Sequence, residues 1–168
     1  MKALIYLIIF SLLAVAGQLT FVSRLDQSGI FLDLPLALVL ACALSGREPK
    51  HCWLILLPVF LFDLLAGRFF GILTLSAWLI FLLLRWLTNF LFKKNESSSL
   101  FILGAAGFGF FYLAVFVFEK IATNFFELAG RQIFWPFAPG EFMVALALNS
   151  FLIWALLKSG ERLNLFKD

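Results

Sequence analysis

Apolar residues run along this chain in six long segments, each closed by a short polar stretch. The segments cover residues 3–22, 30–44, 52–66, 69–92, 100–118 and 142–157. A helix rises 1.5 Å per residue and needs about twenty residues to cross some 30 Å of hydrocarbon, so 3–22 has the length of a membrane span. The 24 residues of 69–92 reach roughly 36 Å and cross with tilt. The 15 residues of 30–44 are short for a span and imply a change of tilt, local thinning of the bilayer or burial among longer helices. The charged start and the small residues at 14–17 imitate a secretory signal, but the apolar run continues through Gln18 to Val22 and further spans follow, which predicts a retained first helix.

Punctuation between the segments agrees with helix ends. Asp33 and Pro35 open the second segment, a cap followed by a proline in the first turn. Residues 45–51 form a turn marked by Gly46 and Pro49. Pro58 lies inside the third segment and predicts a kink there, within two turns of Asp63. Arg85, Trp86 and Asn89 near the end of the fourth suggest an interfacial belt with a snorkelling arginine. In the fifth, Gly104, Gly107 and Gly109 with Ala105 and Ala106 make a small-residue patch for close helix contact, and the surrounding phenylalanines read as core-filling or lipid-facing. The connection 119–141 is the longest, and its part 124–137, aromatic with interspersed charge, suits a segment lying in the outer interface. Asn149 stands at the centre of the sixth segment, where a buried amide is expected to bond another helix.

Composition turns these helices into a class of protein. Of 168 residues, 63% are hydrophobic and 14% charged, with a mean hydropathy of +1.03, against roughly 45–50% and 25% in soluble domains. The expectation is an all-α integral membrane protein, one domain over residues 1–168, built as a compact bundle of about six transmembrane helices. A net charge of +3, scattered along the chain, gives no footprint for nucleic acid. Cys42, Cys52 and His51 lack the spacing of a disulfide or metal site. Ser, His and Asp are not grouped, and no phosphate-cradling glycine loop or carboxylate cluster occurs, which argues against an enzyme and against a cofactor.

Charge sets the orientation. With six spans and the N-terminus inside, Lys2, Arg47, Lys50, Lys93, Lys94, Lys158, Arg162 and Lys167 fall on the cytoplasmic side and Arg24, Arg68, Lys120 and Arg131 outside. Both termini are therefore expected in the cytoplasm. A re-entrant break at 67–68 would make the count five and invert the later loops.

The residue that stands out against this background is Asp63, an acidic group just inside a membrane-length segment, where it needs a neighbouring helix, a wet cavity or the headgroup zone. Gly67 and Gly71 follow at four-residue intervals and extend it into an i, i+4, i+8 line if the backbone stays helical, a line that permits close helix packing. The alternative is an Asp63–Arg68 pair at the membrane surface, with the glycines serving only a hairpin.

Residues 34–41, the basic turn after them, and 59–71 with its Asp-x-x-x-Gly-x-x-x-Gly hairpin resemble the rod shape-determining protein MreD family. The likeness covers length, segment order, the Pro35-initiated second segment and the hairpin; the C-terminal half is similar in hydropathy alone, and phenylalanine stands at many positions where that family has small residues. The resemblance implies a non-enzymatic scaffold or regulatory subunit in the bacterial inner membrane, working in cell elongation and peptidoglycan synthesis. Its implied partners are an MreC-like membrane protein and, through it, the MreB filament and the peptidoglycan synthase complex. It also implies a bundle similar to the substrate-binding subunits of energy-coupling-factor transporters. That similarity supplies the rival function, a vitamin-binding subunit with Glu127, Arg131, Trp135 and Asn149 lining a cavity.

Overall fold

A computed structural model describes residues 2–22, 32–45, 56–65, 71–91, 97–125 and 139–162. Among these the regular structure is entirely helical: α1 (Lys2–Gly17) running into a π-helical segment (Gln18–Val22), α2 (Leu34–Leu44), α3 (Leu57–Leu65), α4 (Ile72–Leu91), α5 (Ser97–Phe125) and α6 (Pro139–Arg162).

The architecture is five helices gathered around α2. α2 packs against each of the other five, α5 lies against both α4 and α6, and α3 lies against both α1 and α4. Nine of the 11 residues of α2 are buried, including Val39 and Leu40 with no exposure at all. At 1.5 Å per residue α2 is only about 16 Å long, half a bilayer thickness. Burial among other helices, one explanation for its shortness, is what the packing shows. Around it the core is filled by Ile80, Phe81 and Leu84 of α4, Phe108 and Phe111 of α5, and Ala145 and Ile153 of α6.

Close approach in this core depends on glycine. A Cβ on Gly107 would lie 2.7 Å from Leu84 Cδ1 and 3.4 Å from Leu40 Cδ2, so α5 meets α4 and α2 there without room for a methyl group. At Gly104 the added atom would find Ile153 of α6 at 3.5 Å, ordinary contact, and at Gly109 it would find open space. Two of the three glycines thus serve the close contact expected of all three, because a step of two residues turns Gly109 away from the face that Gly107 presents. The phenylalanines divide in the same way, Phe108 and Phe111 inward and Phe101 and Phe110 outward.

Several boundaries differ from expectation. α5 continues through residues 119–125, placed above in the long connection, since no glycine or proline interrupts the chain after Phe118 and Glu119 is itself buried. α6 begins at Pro139, three residues early, with proline in its usual first-turn place. Pro58 lies in the first described turn of α3, and the residues on its N-terminal side that would carry the expected kink, 51–55, lie outside the described residues. The interface segment proposed at 124–137 lies almost wholly outside the described residues.

Two helical stretches are long and apolar enough to cross a membrane, Ser99–Asn124 and Gly140–Ser159, while Ser11–Thr20, Leu34–Leu44 and Ile72–Thr88 are shorter apolar helices. Only 33% and 28% of the two long windows are buried, and large apolar side chains on them, including Ile102, Leu113, Met143 and Phe151, are exposed.

Candidate functional site

Two polar centres are built into this apolar bundle. The first is the turn between α3 and α4. Asp63 sits in the last turn of α3, only 2% exposed. Its Oδ2 accepts three hydrogen bonds from the start of α4: Gly71 N–H at 3.0 Å, Thr74 N–H at 3.1 Å and Thr74 Oγ1 at 2.9 Å. The first N–H groups of a helix have no intrahelical acceptor, and a carboxylate placed there satisfies them and complements the helix dipole. Asp63 is therefore an N-cap delivered from the preceding helix. Its Oδ1 is enclosed with no hydrogen-bond partner, as is Ser76 Oγ one turn into α4.

This geometry corrects the helical line drawn through Asp63, Gly67 and Gly71. Helix α3 ends at Leu65 and α4 begins at Ile72, with Gly71 between them at φ 93°, a left-handed conformation that side chains other than glycine adopt at a cost. A Cβ on Gly71 would meet nothing within 4 Å, so this glycine gives no close-packing face. Its contributions are the positive φ, the N–H donated to Asp63, and a carbonyl that accepts from Leu75 N–H at 2.8 Å. Gly67 and the alternative Asp63–Arg68 pair lie outside the described residues. Gly71→Ala should destabilise the protein by about 1–2 kcal/mol although the site has room. Gly109→Ala, in equally open space on a regular helix, should be neutral or stabilising, and thermal unfolding in detergent separates the two.

The second centre is the entrance to α2, where side chains from three other helices converge on Asp33 and its neighbours. Asp33 caps α2 through Oδ1, which accepts from Leu36 N–H at 2.9 Å, and Pro35 fills the first turn as expected. The Gln18 amide bonds twice to the segment before the helix, donating to Leu32 O at 2.9 Å and accepting from Leu34 N–H at 3.0 Å. Asn149 accepts from Asp33 N–H at 2.8 Å and anchors its own amide by donating to Ala145 O at 2.8 Å. Tyr112 O–H donates to Asp33 Oδ2 at 3.3 Å, with its ring 4.8 Å from Phe108 and 5.3 Å from Phe111. Two amides thus supply the partners that the N-terminal peptide units of α2 would otherwise take from water.

The structure brings Asp33, Pro35 and Asn149 together at this entrance and places Asp63 and Gly71 at the other centre. Gln18, Tyr112 and Thr74 were not singled out as participants. For Gln18 the signal is present in the sequence, a lone amide in an apolar helix; the π-helical turn on which it lies leaves no mark in the residue pattern. Asn149→Leu removes the acceptor for Asp33 N–H and should cost about 1–2 kcal/mol, read as a lower unfolding temperature, and Asn149→Asp should not be milder, because its second oxygen would face the Ala145 carbonyl to which the amide now donates and would bury a charge.

Chemically, both centres hold backbone in place. No family model, curated protein or solved structure matches the chain.

Proposed function

We propose that this chain is a non-enzymatic, multi-pass scaffold or regulatory subunit of the bacterial inner membrane, acting in the cell-elongation machinery with both termini in the cytoplasm. The observation that carries the membrane part is the outward surface of α5 and α6: helices of membrane length whose exposed residues are Phe, Ile, Leu, Val and Met through their middles. A soluble monomer seldom exposes apolar patches beyond a few hundred Å². With polar side chains turned inward and spent on one another and on backbone, such a bundle suits hydrocarbon as its solvent.

The elongation part rests on the resemblance to the MreD family, which is concentrated in the hairpin. The capping by Asp63 and the left-handed Gly71 give that motif a physical reason, since an acidic cap and a following glycine are what a tight turn between two membrane helices needs. The chain would then bind an MreC-like protein and, through it, the MreB filament and the peptidoglycan synthase complex.

Affinity purification in mild detergent, with identification of the bound proteins, tests the proposal. Recovery of an MreC-like protein and cell-wall synthesis enzymes is the expected result. Recovery of paired ATPases with a coupling subunit would replace it with the vitamin-transporter reading, for which Asn149 is the one described candidate and is already engaged with Asp33 and Ala145.

A further inference from the structure

The outward faces of the bundle are not alike. On α1, α5 and α6 they are aliphatic and phenylalanine through the middle, with charge only near the helix ends. On α4 the exposed residues are Leu75, Trp78, Leu79, Leu82 and Trp86. Leu75, Leu79, Leu82 and Trp86 recur at spacings of four, three and four, the d, a, d, a positions of a heptad seam. In that register Arg85, half-buried, takes a g position at the flank of the seam, as Trp78 does one heptad earlier. Flanking positions are where ion pairs between helices select a partner, and Trp and Arg are the residues most enriched at binding hot spots. Arg85 itself belongs to the apolar stretch Ile72–Thr88 of α4.

We propose that this face of α4 docks one membrane-spanning helix of a partner protein, and that the partner helix carries a carboxylate opposite Arg85. The inference rests on the membrane reading above and goes beyond it by naming the surface and the chemistry it selects. The guanidinium has five N–H donors in a planar fork, so it can engage a carboxylate on both oxygens in addition to contacts within its own chain. Packed between two helices such a pair is partly shielded from water, and the charge gives the seam selectivity that four apolar side chains lack.

The test places a photo-crosslinking amino acid at position 79 and illuminates the full chain in its native membranes. The expected product is an adduct with an apolar helix of another protein that has an Asp or Glu within about one turn of the crosslinked residue. Arg85→Gln should lower its yield about fivefold or more, and Arg85→Lys should restore much of it. Exchanging the charges, Arg85→Glu with Lys at the partner's carboxylate, should recover the adduct even where Arg85→Gln alone lowers the abundance of the chain. Lipid-only adducts, an adduct with a second copy of this chain, or a yield indifferent to Arg85→Gln would each overturn the inference, leaving Arg85 a snorkelling anchor. A partner that meets these conditions but lies outside cell-wall synthesis would keep the docking face and remove the elongation reading.

Discussion

Asp63→Ala should lower stability more than any other single truncation of a polar side chain among the described residues. The substitution strips one acceptor from three donors at once, Gly71 N–H, Thr74 N–H and Thr74 Oγ1. Loss of a helix cap costs about 0.5–2 kcal/mol, and each buried donor left without a partner costs about 1–3 kcal/mol. Thr74 Oγ1 can turn to another acceptor, so the expected total is about 2–4 kcal/mol. For a chain of this size each kcal/mol lowers the melting temperature by about 2–4 °C, which places the shift near 10 °C in a detergent unfolding experiment. Asp63→Asn is the informative companion. Its carbonyl can occupy the Oδ2 position and accept the same bonds, but its NH₂ group then fills the enclosed Oδ1 position, where no partner stands. It should therefore also destabilise, by about 1–3 kcal/mol. A melting temperature unchanged in both variants would show that the cap contributes nothing.

Gly107→Leu should be the most damaging change of an apolar position. Even the first added carbon would lie 2.7 Å from Leu84 Cδ1, and both Leu84 and Leu40, the second neighbour, have no exposure, so neither can swing into open space. Overpacking of this kind costs about 1–3 kcal/mol for a small insertion. For alanine that cost is partly offset by about 1 kcal/mol of improved helix propensity; for leucine three further carbons must be housed and the bundle must separate. Gly107→Ala is thus expected to melt a few degrees early and Gly107→Leu to fail to accumulate. Leu84→Ala combined with Gly107→Leu should recover part of the loss, because the space removed on α4 is the space required on α5. Absence of any recovery would place the damage elsewhere.

Much of this fold is legible in the residue pattern. Continuous apolarity marks every helix, and the Asp33–Pro35 pair marks the start of α2 with its cap correctly assigned, since capping is local and its signal lies within three residues. What escapes the pattern is contact at a distance. Asp63 and Gly71 are eight residues apart and read as one helical line; the left-handed φ of Gly71 and the bond from its N–H to the Asp63 carboxylate give the same spacing a different geometry. Asn149 announces its need for a partner but not which one, and the partner proves to be a backbone N–H 116 residues away. Gly107 and Gly109 look equivalent in a small-residue patch, and only the position of Leu84 tells them apart.

The two amides at the entrance to α2 are made at different times during synthesis. Gln18 bonds to residues 14 and 16 positions downstream, so its clamp on Leu32 and Leu34 can close almost as soon as α2 leaves the ribosome. The bond from Asp33 to Asn149 spans 116 residues, and at about 5–20 residues per second α6 follows some 6–20 s later. During that interval the central helix waits with one peptide N–H unmatched and one flank bare. A nascent chain halted before residue 139 is accordingly an incomplete bundle at its centre, and quality-control proteases would meet it as such.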